Sequence, residues 1–212
     1  MEKMAQESQP NLKELINTFG RGGLPETKTL GEEIYGEIYL PPLSGVKAIR
    51  RTKERFDQWK IGDLGGKSVL DIGSHIGSLS FYCHQLGAHL VHGVEHNPGR
   101  TITARAIRDY NRIDKKRVEF YSDEESLMDS YDYVFCCSVD AYVEDLNGFY
   151  KFLMSKTRSL LLFESNIQEY GDHPFAQFCL NNGYKYEWLG EAVDKYPYGK
   201  DRVRNLIRVY KK

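Results

Sequence analysis

The run KSVLDIGSHIGSLSFYCHQLGAHLVHGVEHNP, from Lys67 to Pro98, limits what this chain can fold into more than any other stretch. It reads as strand, turn, helix and second strand. Ser68 to Ile72 is a short apolar run carrying Val and Ile, suited to a strand buried on both faces of a parallel sheet. Gly73 and Gly77 bracket a tight turn, where a missing side chain lets the backbone take unusual angles and approach a ligand closely. Leu79, Tyr82, Cys83 and Leu86 recur at helical spacing, which predicts a helix from about Ser78 to Leu86 that Gly87 ends. Leu90 to Val94 is the second apolar run, and it delivers Glu95 to its carboxyl end. Together these make one βαβ unit, with a cofactor-shaped crevice at the ends of its strands.

Two acids bear on which ligand that crevice takes. A carboxylate just past the second strand can accept both ribose hydroxyls of a nucleoside, and Glu95 lies 22 residues after Gly73, close to the spacing for that role. That spacing alone also fits NAD. Asp71, two positions before the first glycine, separates the two cases. The dinucleotide fingerprint is G-x-G-x-x-G, with a pyrophosphate against the helix N-terminus. This chain reads D-I-G-S-H-I-G, so the fingerprint fails. An acid beside the turn repels a pyrophosphate but can hold, directly or through water, the positively charged amino-acid end of S-adenosylmethionine.

The stretch resembles the first two motifs of the class I S-adenosylmethionine-dependent methyltransferases, and the resemblance covers about residues 61–212. It implies an α/β fold: a Rossmann-like, doubly wound, seven-stranded sheet, mostly parallel with an antiparallel C-terminal strand. It also implies S-adenosylmethionine as cofactor, S-adenosylhomocysteine as product, and cofactor contacts from Asp71, Gly73, Ser74, His75, Gly77, Glu95 and His96. One position departs from the family pattern. The usual middle glycine is His75, so a side chain sits where backbone normally lines the methionine part of the cofactor. His75 is open to three roles: contact with the cofactor, contact with the acceptor, or exposure to solvent.

The chain continues the βα alternation after Glu95. Pro98 and Gly99 open a helix to about Asn111, and Val118 to Tyr121 form a third strand ending near Ser122 and Asp123. The resemblance puts a polar residue there against the adenine amine, and Asp123 is the candidate. Tyr133 to Cys137 is a fourth strand that empties into Ser138, Val139 and Asp140, similar to the family's motif facing both cofactor and acceptor. Leu146 to Lys156 reads as a core-facing helix. Ser159 to Phe163 is a fifth strand followed by Glu164, Ser165 and Asn166. A helix from Pro174 to Asn182 precedes two last strands, Tyr184 to Leu189 and Asn205 to Tyr210, joined by a polar connection holding Asp194, Tyr196, Pro197, Tyr198 and Gly199.

Residues 1–60 read as an N-terminal helical extension, a cap on the 61–212 domain. Leu12, Leu15, Ile16 and Phe19 recur at helical spacing between Asn11, a start signal, and Gly20, a stop. Arg21 to Leu30 is rich in Gly, Pro and Thr and reads as a linker. The segment from Gly31 alternates Tyr35, Glu37 and Tyr39 and halts at Pro41-Pro42, so it is expected to be extended. Val46 to Trp59 is expected to be a second amphipathic helix, burying Val46, Ile49, Phe56 and Trp59. By resemblance, such an extension caps the cofactor and shapes the acceptor pocket.

With 212 residues the chain suffices for one domain plus a small appendage. No apolar run approaches the roughly 20 residues that cross a bilayer, and the start MEKMAQESQP lacks signal-peptide character, so no membrane partner and a cytoplasmic address are expected. Cys83, Cys136, Cys137 and Cys179 show no metal-ligand spacing; they read as reduced core thiols, and no metal is expected. The net charge of -1 argues against a grip on long nucleic acid, which a basic excess drives. Two local basic clusters stand out. Lys47, Arg50, Arg51, Lys53 and Arg55 precede the cofactor strand and could meet an anionic acceptor. Arg100, Arg105, Arg108, Arg112, Lys115, Lys116 and Arg117 read better as a wet helix face.

The resemblance implies a methyltransferase acting on oxygen or nitrogen of a small or medium-sized acceptor. The first basic cluster and fifteen tyrosines leave room for a sugar-containing or anionic one. A hydroxyl acceptor needs a base, whereas an ionised carboxylate does not. Asp140, His75 and Glu164, in that order, are the catalytic candidates; Tyr35, Glu37, Tyr142 and Arg51 are candidate acceptor contacts, and Ser138 a cofactor contact. Two alternatives stay open. RFDQWKIGDLGGKSVLDIG loosely resembles enzymes that modify the tRNA wobble uridine, which implies an RNA acceptor. From another class, the chain could be a cofactor-binding regulatory subunit without catalysis.

Overall fold

The structure is a computed structural model that describes residues 11–20, 34–167, 173–194 and 202–211. The expected linker at 21–30, the start of the extended segment at 31–33 and the polar connection at 195–201 lie outside the described residues, as do Tyr196, Pro197, Tyr198 and Gly199.

Seven strands form the main sheet: β3 (Ser68–Ile72), β4 (Leu90–Val94), β5 (Val118–Tyr121), β6 (Tyr131–Cys137), β7 (Thr157–Ser165), β8 (Lys185–Asp194) and β9 (Arg202–Tyr210). Their spatial order is β5-β4-β3-β6-β7-β9-β8, parallel throughout except for β9, which runs antiparallel to both β7 and β8. The expected doubly wound sheet with one reversed C-terminal strand is therefore present. Every residue of β3 is buried, as its apolar run implied, because helices cover both faces. The chain leaves β3 toward β4 and β5, then returns to lay β6 on the other side of β3. That reversal opens a crevice at the carboxyl ends of β3 and β6.

Side-chain alternation sorts the core into two layers. Val69, Phe135, Leu162 and Leu206 point to the face covered by α1 (Leu12–Phe19), α2 (Thr52–Trp59), α3 (Ser78–Gln85) and α4 (Pro98–Tyr110). Leu70, Val134, Phe163 and Ile207 point to the face covered by α5 (Leu146–Lys156) and α6 (Pro174–Asn181). There Tyr150, Phe163, Phe175 and Phe178 form an aromatic cluster, with the Phe163 and Phe175 ring centroids 4.1 Å apart. Cys83, Cys136 and Cys179 are buried and free, and Cys137 is half-buried and free. Burial raises all four thiols above the usual range.

The N-terminal extension departs from expectation at one element. Its first helix has the predicted ends: the Asn11 side chain accepts from the Lys13 N–H, and the Gly20 N–H donates to the Ile16 carbonyl. The expected helix Val46–Trp59 is instead a strand, β2 (Ala48–Arg50), followed by α2. β2 pairs in parallel with β1 (Ile34–Gly36), and the flanking Ile34 and Glu37 N–H groups donate to the Lys47 and Arg50 carbonyls. The extended segment thus supplies a partner edge, and its backbone pairing overrides a short apolar pattern that fits helix and strand alike. Phe56 and Trp59 are buried as predicted, in the same core as Val69 and Phe135. The described residues of the extension, among them Ile16, Ile34, Phe56 and Trp59, pack into the same core as the sheet.

Candidate active site

The turn after β3 is held in shape from three directions. Gly73, His75 and Gly77 all have positive φ, at 75, 53 and 90°, angles that favour glycine. The Gly73 and Ser74 N–H groups both donate to the Val94 carbonyl at 2.9 Å, pinning the turn to the end of β4. A Cβ at Gly73 would lie 2.5 Å from a methyl of Val139, and one at Gly77 would lie 2.7 Å from the Phe120 ring. Glu95 closes the third side. Its Oε2 accepts from the His75 N–H at 3.1 Å and its Oε1 from the Asn97 N–H at 2.9 Å, with Arg100 Nη1 at 3.6 Å.

Above this turn lies a cavity of about 730 Å³, within the usual range of roughly 300–1,000 Å³ for small-molecule sites. Gly73, His75, Glu95 and His96 line it from β3 and β4, and Ser138, Val139, Tyr142 and Phe149 from beyond β6. Tyr35 and Arg50 come from the extension, Asn166 and Arg204 from the ends of β7 and β9. A second cavity, of about 540 Å³, lies between α2 and α3 around Phe56, Tyr82 and Leu86, away from the strand ends.

Several candidates lie elsewhere than in the cavity wall. Asp71 is buried behind the turn and is not among the lining residues; its Oδ2 accepts from the Ser80 hydroxyl at 2.6 Å. Burial pushes its carboxyl up to about 7; Glu95 adds to the rise, while hydrogen bonds from Ser80 and the charge of Arg50 oppose it. Asp71 thus braces the first turn of α3 against the sheet. Ser74 is buried and its Oγ has no hydrogen-bond partner among the described residues. Asp123 is exposed and accepts from the Glu125 N–H. The next residue, Glu124, lines the cavity and bonds His96 Nε2 at 2.7 Å. Glu37 accepts the Tyr39 hydroxyl at 2.5 Å and lies outside the wall. Arg51 is exposed beside Glu54; its neighbour Arg50 faces the cavity.

The three catalytic candidates have fixed surroundings. Asp140, in a short 3-10 turn, is buried and outside the wall; it accepts from the Ser165 hydroxyl and from the Asn166 and Ala141 N–H groups at 3.0 and 3.1 Å. Glu164 has no exposed side-chain surface and accepts from Arg50, Arg55 and the Ser138 hydroxyl, the last at 2.6 Å, with Arg204 Nε at 3.5 Å. His75 does line the cavity, its ring 5.0 Å from that of Tyr35. Burial, with Arg100 and Arg50 nearby, lowers its pKa to about 3. It is therefore neutral across the physiological range, and its Nε2 is buried with no partner among the described residues. Neutral imidazole is a hydrogen-bonding group here rather than a proton carrier.

The first basic cluster divides. Arg50 and Arg55 turn inward to Glu164, while Arg51 and Lys53 stay exposed. Much of the second is tied down: Arg108 and Arg105 pair with Glu119 at 2.6 and 3.3 Å, and Arg117 donates to the His89 carbonyl. Arg204 and Asn166 line the cavity without belonging to any motif of the sequence. The alternation Arg202, Arg204 along the last strand, and the position of Asn166 just past the fifth strand, were the available signals.

No family model matches the sequence, and no curated protein is significantly similar to it. Solved structures are similar in fold. Magnesium protoporphyrin IX methyltransferase from Synechocystis with bound SAM is 20% identical over 76% of this chain and 78% of that one, with a TM-score of 0.60. TYW2 from P. horikoshii, in complex with MeSAdo, is 22% identical over 76% and 62%, TM-score 0.56. Precorrin-6y C5,15-methyltransferase from Geobacter metallireducens is 15% identical over 81% and 92%, TM-score 0.56. The chain has the fold of the class I S-adenosylmethionine-dependent methyltransferases.

Proposed function

We propose that this chain is an S-adenosylmethionine-dependent methyltransferase acting on oxygen or nitrogen of a small or medium-sized acceptor. The observation that carries the reading is the turn from Gly73 to Gly77 locked against Glu95 at the point where the strand order reverses. Its residues fit the cofactor. The Val139 methyl over Gly73 leaves no room for a side chain there, and the buried His75 Nε2 is a polar atom with no partner among the described residues. In this reading Glu95 holds the ribose hydroxyls, His75 hydrogen-bonds the methionine part, and Glu124 with His96 flanks the adenine end.

S-adenosylmethionine would supply a methyl group already activated on a sulfonium. The chain's own work is then to orient an acceptor and exclude water. Tyr35, Arg50 and the largely exposed Tyr142 form the wall an acceptor would meet. Neither Asp140 nor Glu164 reaches the cavity, and His75 is too weak a base to collect a proton near neutrality. Acceptor atoms that are nucleophilic without losing a proton to these residues fit best.

Calorimetric titration with S-adenosylhomocysteine and NAD tests the cofactor; binding of NAD alone would overturn the reading. Transfer of labelled methyl from S-adenosylmethionine into a lysate tests the activity, and RNase treatment separates an RNA acceptor from a small one. Tight cofactor binding without transfer into any fraction would instead mark a regulatory subunit.

A further inference from the structure

We infer that the acceptor carries a flat aromatic ring, seated on the loop that follows β6 and stacked on the ring of Tyr142. Calling the ligand an acceptor rests on the methyl-transfer reading; its binding to this loop does not.

A tyrosine ring has a large apolar face that folding usually covers at least in part. Tyr142 is 80% exposed, and it stands at the rim of the cavity as one of its lining residues. The exposure is not slack in the chain. Tyr142 ends the 3-10 turn Asp140–Tyr142, and the N–H groups of Tyr142 and Val143 donate to the Val139 and Asp140 carbonyls at 3.0 and 3.2 Å. Asp140 roots that turn in the fold, since it is buried and accepts from the Ser165 hydroxyl and the Asn166 N–H. The backbone under the ring is therefore fixed, and a tyrosine has only two side-chain torsions to settle when a ligand arrives.

The strip around Tyr142 is uncharged. Val139, Tyr142, Val143 and Phe149 all line the cavity, and between 139 and 149 the Tyr142 phenol is the only ionisable group that does so among the described residues. The charged side chains of the wall come instead from β2, from the ends of β4 and β5, from α4 and from β9. The strip starts against the turn after β3, because a Cβ on Gly73 would lie 2.5 Å from a Val139 methyl. A ligand on this strip thus adjoins the turn assigned above to the cofactor.

Three kinds of occupant cover an uncharged strip. A sugar brings several hydroxyls, each needing a partner once it leaves water, and this strip offers one phenol. An aliphatic group meets the valines well but draws nothing from the polarity of an aromatic face. A flat aromatic ring gains buried area and also the preference of rings for offset or edge-on neighbours. Two further rings, Tyr35 and His75, stand elsewhere in the same wall with centroids 5.0 Å apart.

The test is calorimetric titration of quinoline, adenine, cyclohexanol and glucose, each separately, into the full chain saturated with S-adenosylhomocysteine, so that the cofactor's own seat is filled. Saturable binding of quinoline or adenine is expected, tighter than that of cyclohexanol and glucose; the tighter ring tells an apolar bicycle from a nucleobase. Tyr142→Ala is expected to weaken that binding about tenfold, whereas Tyr142→Phe, which keeps the ring, should stay within about twofold of wild type. Both variants replace an exposed side chain, so neither puts folding at stake. Absence of saturable binding by either ring would overturn the inference, as would tighter binding of cyclohexanol or glucose, or unchanged affinity in Tyr142→Ala. Equal losses in the alanine and phenylalanine variants would overturn it too, because the hydroxyl and not the ring would then be the contact. Failure of S-adenosylhomocysteine to bind would strike the cofactor reading instead, and the same comparison of wild type with Tyr142→Ala in the ligand-free chain would still decide the ring.

Discussion

Asp71→Asn isolates the electrostatic burden carried beneath the turn. In the fold the Asp71 carboxyl is raised from 3.8 to about 7, chiefly by burial, so the folded protein holds a proton that the unfolded chain releases. Stability from this source is therefore full below pH 3.8 and is lost as pH rises toward and through 7. At 1.36 kcal/mol per pH unit the whole gap corresponds to about 4 kcal/mol, of which about 2 kcal/mol falls between pH 5 and pH 7. The neighbours do not reverse the sign: Glu95 pushes the same way, Arg50 and Ser80 oppose only in part, and the nearby Cys83 and Cys137 thiols are themselves held uncharged. Asparagine keeps an oxygen for the Ser80 hydroxyl while removing the proton from the balance. Urea unfolding followed by fluorescence of the buried Trp59 should show wild type losing about 2 kcal/mol more than the variant between pH 5 and pH 7. Above about pH 8 the two curves should run parallel. Identical pH dependence in the two proteins would refute the placement of a neutral carboxyl there.

Three further outcomes follow from the same geometry. Glu164→Gln strips the carboxylate from Arg50, Arg55 and Arg204 and should cost roughly 3–5 kcal/mol in urea unfolding; a loss below about 1 kcal/mol would show that the cluster contributes no net attraction. Gly77→Ala forces a Cβ into the Phe120 and Phe81 rings at a φ of 90°, which should destabilise by about 2 kcal/mol or more, read as a lowered Tm. Glu95→Gln should weaken S-adenosylhomocysteine binding roughly tenfold by calorimetry, with the far-ultraviolet circular dichroism unchanged; wild-type affinity would remove Glu95 from the ribose.

Much of the fold was legible because each strand of the parallel sheet announces itself twice. An apolar run such as Ser68–Ile72 marks burial on both faces, and the helical spacing after it marks the crossover. What short windows could not decide was Val46–Trp59. Val46, Ile49, Phe56 and Trp59 suit a helix, yet β1 is present to pair with Ala48–Arg50, and that partner is not local in sequence. The same limit explains the site. Asp71 and Glu95 were both assigned to the ligand by spacing, but alternation along β3 sends Asp71 into the helix-covered layer under Ser80, while Glu95, just past β4, reaches the cavity. Within the first basic cluster Arg51 is exposed and Arg50 faces inward, a one-residue difference that decides which side of a strand end is wet. Asp140 and Glu164 sit at strand ends as a base would, and only their partners show that their acceptor capacity is engaged: Ser165 and Asn166 at the end of β7 for Asp140, and arginines from β2, α2 and β9 for Glu164.

The two ends of the cavity have different origins in the chain. In the proposed reading the cofactor end, from Gly73 through Glu95 and His96 to Arg100, comes from the one βαβ unit and the start of the next helix, with Glu124 added from beyond β5. The opposite end, where that reading puts the acceptor, is composite: Tyr35 and Arg50 come from the extension, Asn166 and Arg204 from the last strands, and Glu164 fastens the two sources together from beneath. A sheet of this kind can therefore keep its cofactor geometry while its extension changes, and a different extension would bring different side chains against the same strand ends. It follows that acceptor preference should track substitutions in β1 and β2 more than those in β3 and β4. Pairwise exchange measures the contact that carries the extension's end of the cavity: Tyr35→Leu combined with Arg50→Gln should destabilise non-additively in urea unfolding, since the Tyr35 ring supports the Arg50 guanidinium at 5.1 Å. The same pair should leave S-adenosylhomocysteine affinity within about twofold, and simple additivity in the unfolding free energies would show that the stacked pair does not act as one unit.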